Sequence, residues 1–423
     1  MDAIQIYGGN CLFGQTKIQG SKNAVLPILA ATLLIDGVCE IENCPDISDV
    51  RHMLRLLESL CCTVTREKQK VKIYTKQLSQ CEMPQESVGV MRSSVMLLGA
   101  LLARTGSVSM QYPGGCVIGS RPIDLHLQGL RRMGVVIEEK EDGFHAETTG
   151  LIGATHRLPF VSVGATENLV LAAVLADGET IIENAAREPE IGALCEFLTQ
   201  AGADIEGAGT GRLRIKGVKR LHPVSYRVPP DRIVAGTYLA TCLCSGGEIF
   251  LQDAPCLQLQ TVIQAAQAMG AGIQESTEGL YIACKERRKA LPGLETDSYP
   301  GFPTDLQSAF LAAMTLAKGK STIRETIFEN RFRIVPELQK MGADIQLQDN
   351  SVIIEGTDRL HGALLQAEEL RGGAALVLAG TAAEGVTVVT NRHFIERGYE
   401  DICLDLQKLG ARCKKVDYPV ADT

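Results

Sequence analysis

Tryptophan is absent from this chain of 423 residues, and aromatic residues make up only 4% of it. A protein that reads nucleic acid by stacking bases on aromatic rings would carry more. Positive charge is also in deficit: 42 Lys and Arg against 50 Asp and Glu leave a net charge of −8. That balance argues against general binding to phosphate backbones or to anionic lipid, so neither a nucleic-acid nor a membrane partner is expected. Long apolar runs are missing too. The longest, from Ala24 to Ile35, falls far short of the ~20 residues of a membrane span. The opening Met1-Asp2-Ala3-Ile4-Gln5 has no basic segment leading into an apolar one, and no secretory signal is read there. The 14 cysteines include no Cys-x-x-Cys pair and the 7 histidines no zinc spacing. A cytoplasmic protein with reduced thiols, no metal and no cofactor is therefore expected.

Glycine, by contrast, is abundant at 42 residues, and 45% of the chain is hydrophobic. This composition suits helices of small residues packed closely on sheets, and the length suits two or three domains. An internal repeat of about 70 residues organises the chain. In each copy a strand-like stretch runs into a helix that ends near a Gly, as from Gly106 to Gly134 and from Gly178 to Gly202; others end at Gly270, Gly342 and Gly410. The first copy, Gly37 to Cys62, has Cys61 where the others have that Gly.

Every copy also holds a second helix, rich in small apolar residues. These begin at Ser21, Met91, Ser162, Asp231, Thr304 and Leu370. They are apolar nearly all round, which predicts helices buried within sheets and amphipathic helices. The expected fold is α/β, with two inside-out α/β barrel-like domains of three repeated units each. Stiff Pro229-Pro230 breaks the chain midway. The strand at Ile4–Tyr7 precedes the first buried helix and is expected to complete the last unit. The predicted domains are 21–229, and 1–20 plus 230–423, with the active site in the cleft between them.

The first turns of the buried helices carry charge. Lys22, Arg92, Arg232 and Arg371 occupy matching places, Asp305 holds that place in the fifth copy, and Val163-Gly164 in the third. A cation there opposes the helix macrodipole at a cost of up to ~1 kcal/mol. One such residue is simply solvated or paired with a neighbouring carboxylate. Four at equivalent places point to a compensating anion, which the free backbone N–H groups of helix starts also suit.

Specific motifs stand on this frame: Ser21-Lys22-Asn23-Ala24, Pro113-Gly114-Gly115-Cys116 running on to Arg121-Pro122-Ile123-Asp124, Ser162-Val163-Gly164-Ala165-Thr166, Glu183 to Glu190, Pro230-Asp231-Arg232, Phe302-Pro303-Thr304-Asp305, Phe328-Glu329-Asn330-Arg331 and Arg397-Gly398-Tyr399-Glu400. In this order, over essentially the whole chain, they resemble the enolpyruvyl transferases that act on UDP-N-acetylglucosamine. The related enzymes acting on shikimate 3-phosphate share the two-domain fold and lack the Pro-Gly-Gly-Cys loop.

The resemblance implies substrates, reaction and roles. Phosphoenolpyruvate and UDP-N-acetylglucosamine are the small-molecule partners, and the reaction is addition of the sugar 3′-hydroxyl to phosphoenolpyruvate followed by loss of phosphate. By the same likeness Cys116 protonates the methylene carbon and can form a covalent adduct. A nearby Arg favours such a thiolate. Asp305 takes the proton of the sugar hydroxyl, a role that otherwise competes with an ordinary helix-start carboxylate. Lys22, Asn23, Arg121, Arg371 and Arg397 resemble the phosphoenolpyruvate set, with Lys22 and Arg397 also counted as catalytic. The nucleotide-sugar pocket is implied at Asn23, Arg92, Arg121, Pro122, Ile123, Asp124, Leu125, Ser162, Val163, Gly164, Asp305, Ile327 and Phe328.

Departures from the commoner pattern fall at Ser48 and Phe160, where some members carry Lys, at Glu369 for Asp, and at Val234 for Glu. None removes a group from the catalytic set. Two alternatives stay open at this point: transfer to shikimate 3-phosphate, and a non-catalytic paralogue serving as a scaffold.

Overall fold

The computed structural model describes residues 2–418 apart from 76–77, 79–80, 83–91 and 113–122. Its strands form six four-stranded sheets of one design. A short strand pairs in parallel with the next, and two antiparallel partners complete each sheet, as Leu364–Gln366, Val386–Thr390, Asp2–Tyr7 and Arg412–Asp417 do. The N-terminal strand thus closes the last unit. Likewise Ser225–Arg227 pairs in parallel with Gly37–Glu42 and closes the first.

Two compact units result among the described residues: 2–19 with 230–418, and 20–112 with 123–229. Gly20, expected with the N-terminal strands, belongs with the second because a Cβ there would lie 1.8 Å from the Asn43 carbonyl oxygen. Backbone bonds from Asp231 to Gln19 and from Ser21 to Pro229 tie the paired segments of each unit.

The apolar helices are interior, as their composition demands. In the first unit Arg232–Ser245, Gln307–Met314 and Leu370–Ala382 pack on one another, and every residue of Arg232–Ser245 but the last is buried. In the second, Leu97–Thr105 packs on Val163–Ala173, and Lys22–Ala31 packs on Pro189–Gln200. Helices with polar outer faces, such as Ser48–Ser59 and Asp124–Arg132, cover the sheets. The residues that end these outer helices adopt the left-handed conformation: Gly134, Gly202, Gly270, Gly342, Gly410 and, in the first copy, Cys61 at φ 66°. Among the described residues no helix is long and apolar enough to cross a membrane.

Candidate active site

Four of the six predicted helix-start places open an α-helix, and side chains cap all four; Arg92 and Asp305 lie instead in short turns ahead of helices that start at Leu97 and Gln307. Ser21 Oγ accepts from Ala24 N at 3.3 Å, and Ser162 Oγ from Ala165 N at 3.3 Å. Asp231 Oδ1 accepts from Ile233 and Val234 N–H, and Glu369 accepts from Arg371 and Gly372 N–H. The expectation that free backbone N–H groups there await an anion is corrected to this extent, because N-capping satisfies part of each first turn and stabilises it by about 1 kcal/mol. Some of the compensating anions are also protein carboxylates.

In the Gly20–Pro229 unit, Lys22 opens the helix Lys22–Ala31 and is 8% exposed; its Nζ lies 2.8 Å from Asp49 Oδ2. Asp49 in turn stands in the first turn of Ser48–Ser59, where the helix dipole favours a carboxylate. Asn23, next to Lys22, is half-buried. Arg92 opens the turn Arg92–Met96, which packs on both Lys22–Ala31 and Val163–Ala173. Ile123 precedes Asp124–Arg132, with Asp124 exposed and Leu125 buried. Ser162, Val163 and Gly164 begin the next helix, and a Cβ on Gly164 would sit 3.2 Å from His126 Cε1. That close approach brings the two stretches of the predicted nucleotide-sugar pocket together. Asn168 locks them: it lies 3.0 Å from His126 Nδ1, donates to the Val95 carbonyl and accepts from Gly99 N–H. Cys116, Arg121 and Pro122 lie outside the described residues.

The other unit assembles a denser charge cluster. Asp305 sits in the turn Thr304–Leu306, held close to the helix Arg232–Ser245 because Gly236 lacks a Cβ; one there would meet Leu306 at 2.3 Å. Two buried guanidiniums converge on its carboxylate, Arg331 at 2.5 Å and Arg371 at 2.9 Å. Arg331 also lies 3.5 Å from Glu369, the cap of Leu370–Ala382. Burial works against the charge of Arg371, and Asp305, with Tyr399 and Asp231, more than offsets it, so the guanidinium holds its proton more tightly than usual. Its Nη1 is buried with no hydrogen-bond partner among the described residues. An orphaned charged donor is costly to bury and suits an incoming anion.

Arg397 ends the turn Arg392–Arg397 and is half-buried. Gly398, next to it, fits against Leu370, where a Cβ would come within 2.8 Å, so Arg397 adjoins the helix start that carries Arg371. Ile327 is 37% exposed, and Phe328 lies under Arg331, 5.3 Å from ring centroid to guanidinium carbon. This unit therefore gathers Asp305, Arg371, Arg397, Ile327 and Phe328. It also adds Arg331, Glu325, Thr304 and Asp231, to which the helix-start pattern assigns no role. Arg331 could have been found from the Phe328–Arg331 motif, whereas a carboxylate such as Glu325 at the end of a strand gives no signal in sequence. Among the described residues no group of three or more His, Cys, Asp or Glu is placed to hold a metal.

Comparisons with known proteins bear on this geometry. The family profile EPSP synthase (3-phosphoshikimate 1-carboxyvinyltransferase) matches residues 6–406. The UDP-N-acetylglucosamine 1-carboxyvinyltransferase 2 of Caldanaerobacter subterraneus subsp. tengcongensis is 44% identical over 411 residues, 97% of this chain and 99% of that one. The UDP-N-acetylglucosamine 1-carboxyvinyltransferase of Saccharophagus degradans is 46% identical over 418 residues, 98% and 100% of the two chains. Among solved structures, the enolpyruvyl transferase NikO from Streptomyces tendae superposes with a TM-score of 0.89 at 26% identity, over 99% of each chain. An EPSP synthase from Acinetobacter baumannii, at 18% identity and a TM-score of 0.76 over 99% and 100%, shares the fold.

Proposed function

The chain belongs to the EPSP synthase family of carboxyvinyl transferases, and from that premise we propose that it moves the enolpyruvyl group of phosphoenolpyruvate onto the 3′-hydroxyl of UDP-N-acetylglucosamine. One observation carries the choice of acceptor. Relatives named for that nucleotide sugar match end to end at 44–46% identity, whereas the EPSP synthase structures match at 18–19%.

The reaction balances as an addition followed by an elimination. The sugar hydroxyl loses its proton to Asp305 as its oxygen bonds to the second carbon of phosphoenolpyruvate. Cys116 supplies a proton to the methylene carbon, giving a tetrahedral intermediate. A methyl proton then returns to the Cys116 thiolate as the bond from the second carbon to the phosphate oxygen breaks, which restores the double bond and releases inorganic phosphate. Asp305 is suited to the first step because it is a carboxylate that two guanidiniums hold in one orientation, with 24% of its side chain still exposed. Lys22, Arg121, Arg371 and Arg397 hold the phosphate and carboxylate, the arginines by bidentate forks and Lys22 as a point charge. The unpartnered Arg371 Nη1 supports such an anion. Asn23 and Arg92 contact the sugar nucleotide, together with Ile123, Asp124, Leu125, Ser162, Val163, Gly164, Ile327 and Phe328, and with Arg121 and Pro122. Cys116 can also form a covalent adduct with phosphoenolpyruvate.

The product would be the first committed intermediate of peptidoglycan, made in the cytoplasm and serving cell wall biogenesis, cell shape, the cell cycle and division. Phosphate release from phosphoenolpyruvate tests the reading with either acceptor. Release with UDP-N-acetylglucosamine and none with shikimate 3-phosphate is expected, and the reverse pattern would overturn it.

A further inference from the structure

Three sheets of the fold offer a comparison for the sheet of the fifth repeat. At the residue after the second strand, three repeats carry an Asn in the left-handed conformation: Asn43, Asn184 and Asn391, at φ 53°, 57° and 59°. Each donates its side-chain N–H to the carbonyl just past the neighbouring parallel strand, of Val228, Leu158 and Ala367, at 2.9, 3.0 and 3.1 Å. A neutral amide thus satisfies the place in three repeats, and in the fourth it is taken by Asp253, a part-exposed carboxylate paired with Lys17. In the fifth repeat the same place, after Lys320–Arg324, holds Glu325, only 3% exposed. Burying a carboxylate costs several kcal/mol unless every acceptor site is used.

Glu325 uses them on the candidate site. Its Oε1 accepts from Thr296 Oγ1 at 2.9 Å and from the backbone N–H groups of Ile327 and Phe328 at 2.8 and 3.2 Å. Its Oε2 accepts from Thr304 Oγ1 at 3.0 Å. A hydroxyl has one proton, and with that proton committed to Glu325 the Thr304 oxygen is left to accept. It accepts from Arg331 Nε at 3.2 Å, and the Nη2 of the same guanidinium reaches Asp305 at 2.5 Å. The Glu325 carboxylate can only accept and the Arg331 guanidinium can only donate, so the Thr304 hydroxyl between them has a single direction.

We infer that Glu325 is a positioning residue for the transfer, which acts through Thr304 and Arg331 to hold the Asp305 carboxylate in its working orientation. The inference rests on the proposed role of Asp305. It also predicts how an amide would fail. Three donors claim the Oε1 place, so in Glu325→Gln the amide oxygen stays there and the NH2 group falls against Thr304. The Thr304 proton then loses its acceptor, and as the hydroxyl turns away from the NH2 group the link to Arg331 loosens while Ile327 and Phe328 keep their acceptor.

The test is steady-state phosphate release with phosphoenolpyruvate and UDP-N-acetylglucosamine for Glu325→Gln, Thr304→Val, the double variant and Asp305→Asn. Each of the first two is expected to lower kcat about 10- to 100-fold, with KM for the nucleotide sugar changed less than about threefold. The double variant is expected to be no slower than the worse single, because both cut one chain. Thr304→Ser, which restores the hydroxyl, is expected to recover most of the loss of Thr304→Val. Turnover within about twofold of the parent for both singles, or losses that multiply in the double variant, would overturn the inference. If Glu325→Gln does not fold, Thr304→Val with its Ser counterpart decides alone. Parental turnover in Asp305→Asn would instead bring down the role of Asp305 on which the inference stands.

Discussion

Lys22 and Arg371 stand at the same place in their repeats, each buried in the first turn of an apolar helix, and each is neutralised by a carboxylate. The partner of Lys22, Asp49, comes from the next helix of its own repeat, and its side chain is 9% exposed. The partner of Arg371, Asp305, comes from the start of the preceding repeat's buried helix, is shared with Arg331, and remains 24% exposed. One carboxylate is enclosed and acts as a local counter-ion. The other is fixed from two sides and still reachable, as a group that exchanges a proton with a substrate must be.

The sharpest way to break this contrast is Asp305→Asn. Asn keeps the size of Asp and loses the basic oxygen together with the charge that faces Arg331 and Arg371, so some stability is expected to go with it. Turnover is expected to fall about 10²- to 10⁴-fold with UDP-N-acetylglucosamine affinity retained. Loss of stability with turnover within a few-fold of the parent would make Asp305 a counter-ion like Asp49. The reciprocal change, Asp49→Asn, leaves the Lys22 charge without its carboxylate and is expected to cost about 3 kcal/mol of stability, read from the urea midpoint. Its turnover is expected to suffer less than that of Asp305→Asn. A loss of turnover as deep as that, at unchanged stability, would erase the distinction.

Much of this frame was legible in the residues. Apolar helices starting at Ser21, Ser162, Asp231 and Leu370 announce their burial, because a helix without a polar face has nowhere else to go. The recurrence of charge at their first turns marked Lys22, Arg371 and Asp305 as one class of position. Pairing was not legible. Asp305 meets Arg331 and Arg371 across 26 and 66 residues, and such distances are set by how repeats pack rather than by any local pattern. Glu325 was hidden for a different reason: the end of a strand is an ordinary place for an exposed Glu, and only packing reveals it as buried.

The repeats also allow a comparison between inward-facing residues of the short parallel strands. Tyr226 and Leu365 occupy that place in two of them and His156 in a third, all buried. Tyr226 finds a partner in Glu196 at 3.0 Å, whereas neither ring nitrogen of His156 has one among the described residues. Burial, with Arg132 adding to it, draws the His156 pKa down from 6.5 to about 4. The folded state therefore keeps this ring neutral while the unfolded chain takes up a proton. Stability is fully present above pH 6.5 and is lost as pH falls toward 4, by up to about 3 kcal/mol. His156→Leu, which copies Leu365, is expected to flatten that part of the stability–pH curve. An unchanged slope between these pH values would assign the acid sensitivity to other groups.

The smallest effect comes from the one repeat that breaks the helix-ending rule. After each outer helix the chain turns back with the same two backbone bonds, as from Gly202 to Thr199 and from Ala203 to Leu198, both at 2.9 Å. Cys61 and Cys62 make the equivalent pair to Glu58 and Leu57, each at 3.0 Å, so the first repeat closes its helix in the same way. The turn needs a residue in the left-handed region, and there a Cβ crowds the following carbonyl, at a cost of roughly 1 kcal/mol or more that glycine avoids. Glycine gives back part of that gain by its greater freedom in the unfolded chain, about 0.5–1 kcal/mol. The Cys61 side chain is exposed, so little packing is at stake in removing it. Cys61→Gly is therefore expected to raise stability by about 0.5 kcal/mol, read as a small upward shift of the urea midpoint at unchanged slope. Gly202→Ala, the mirror change at φ 103°, is expected to lower it. Should Cys61→Gly destabilise the protein while Gly202→Ala also does, the first repeat must draw stability from the Cys61 side chain itself, and its difference from the other five would be a contact rather than a tolerated strain.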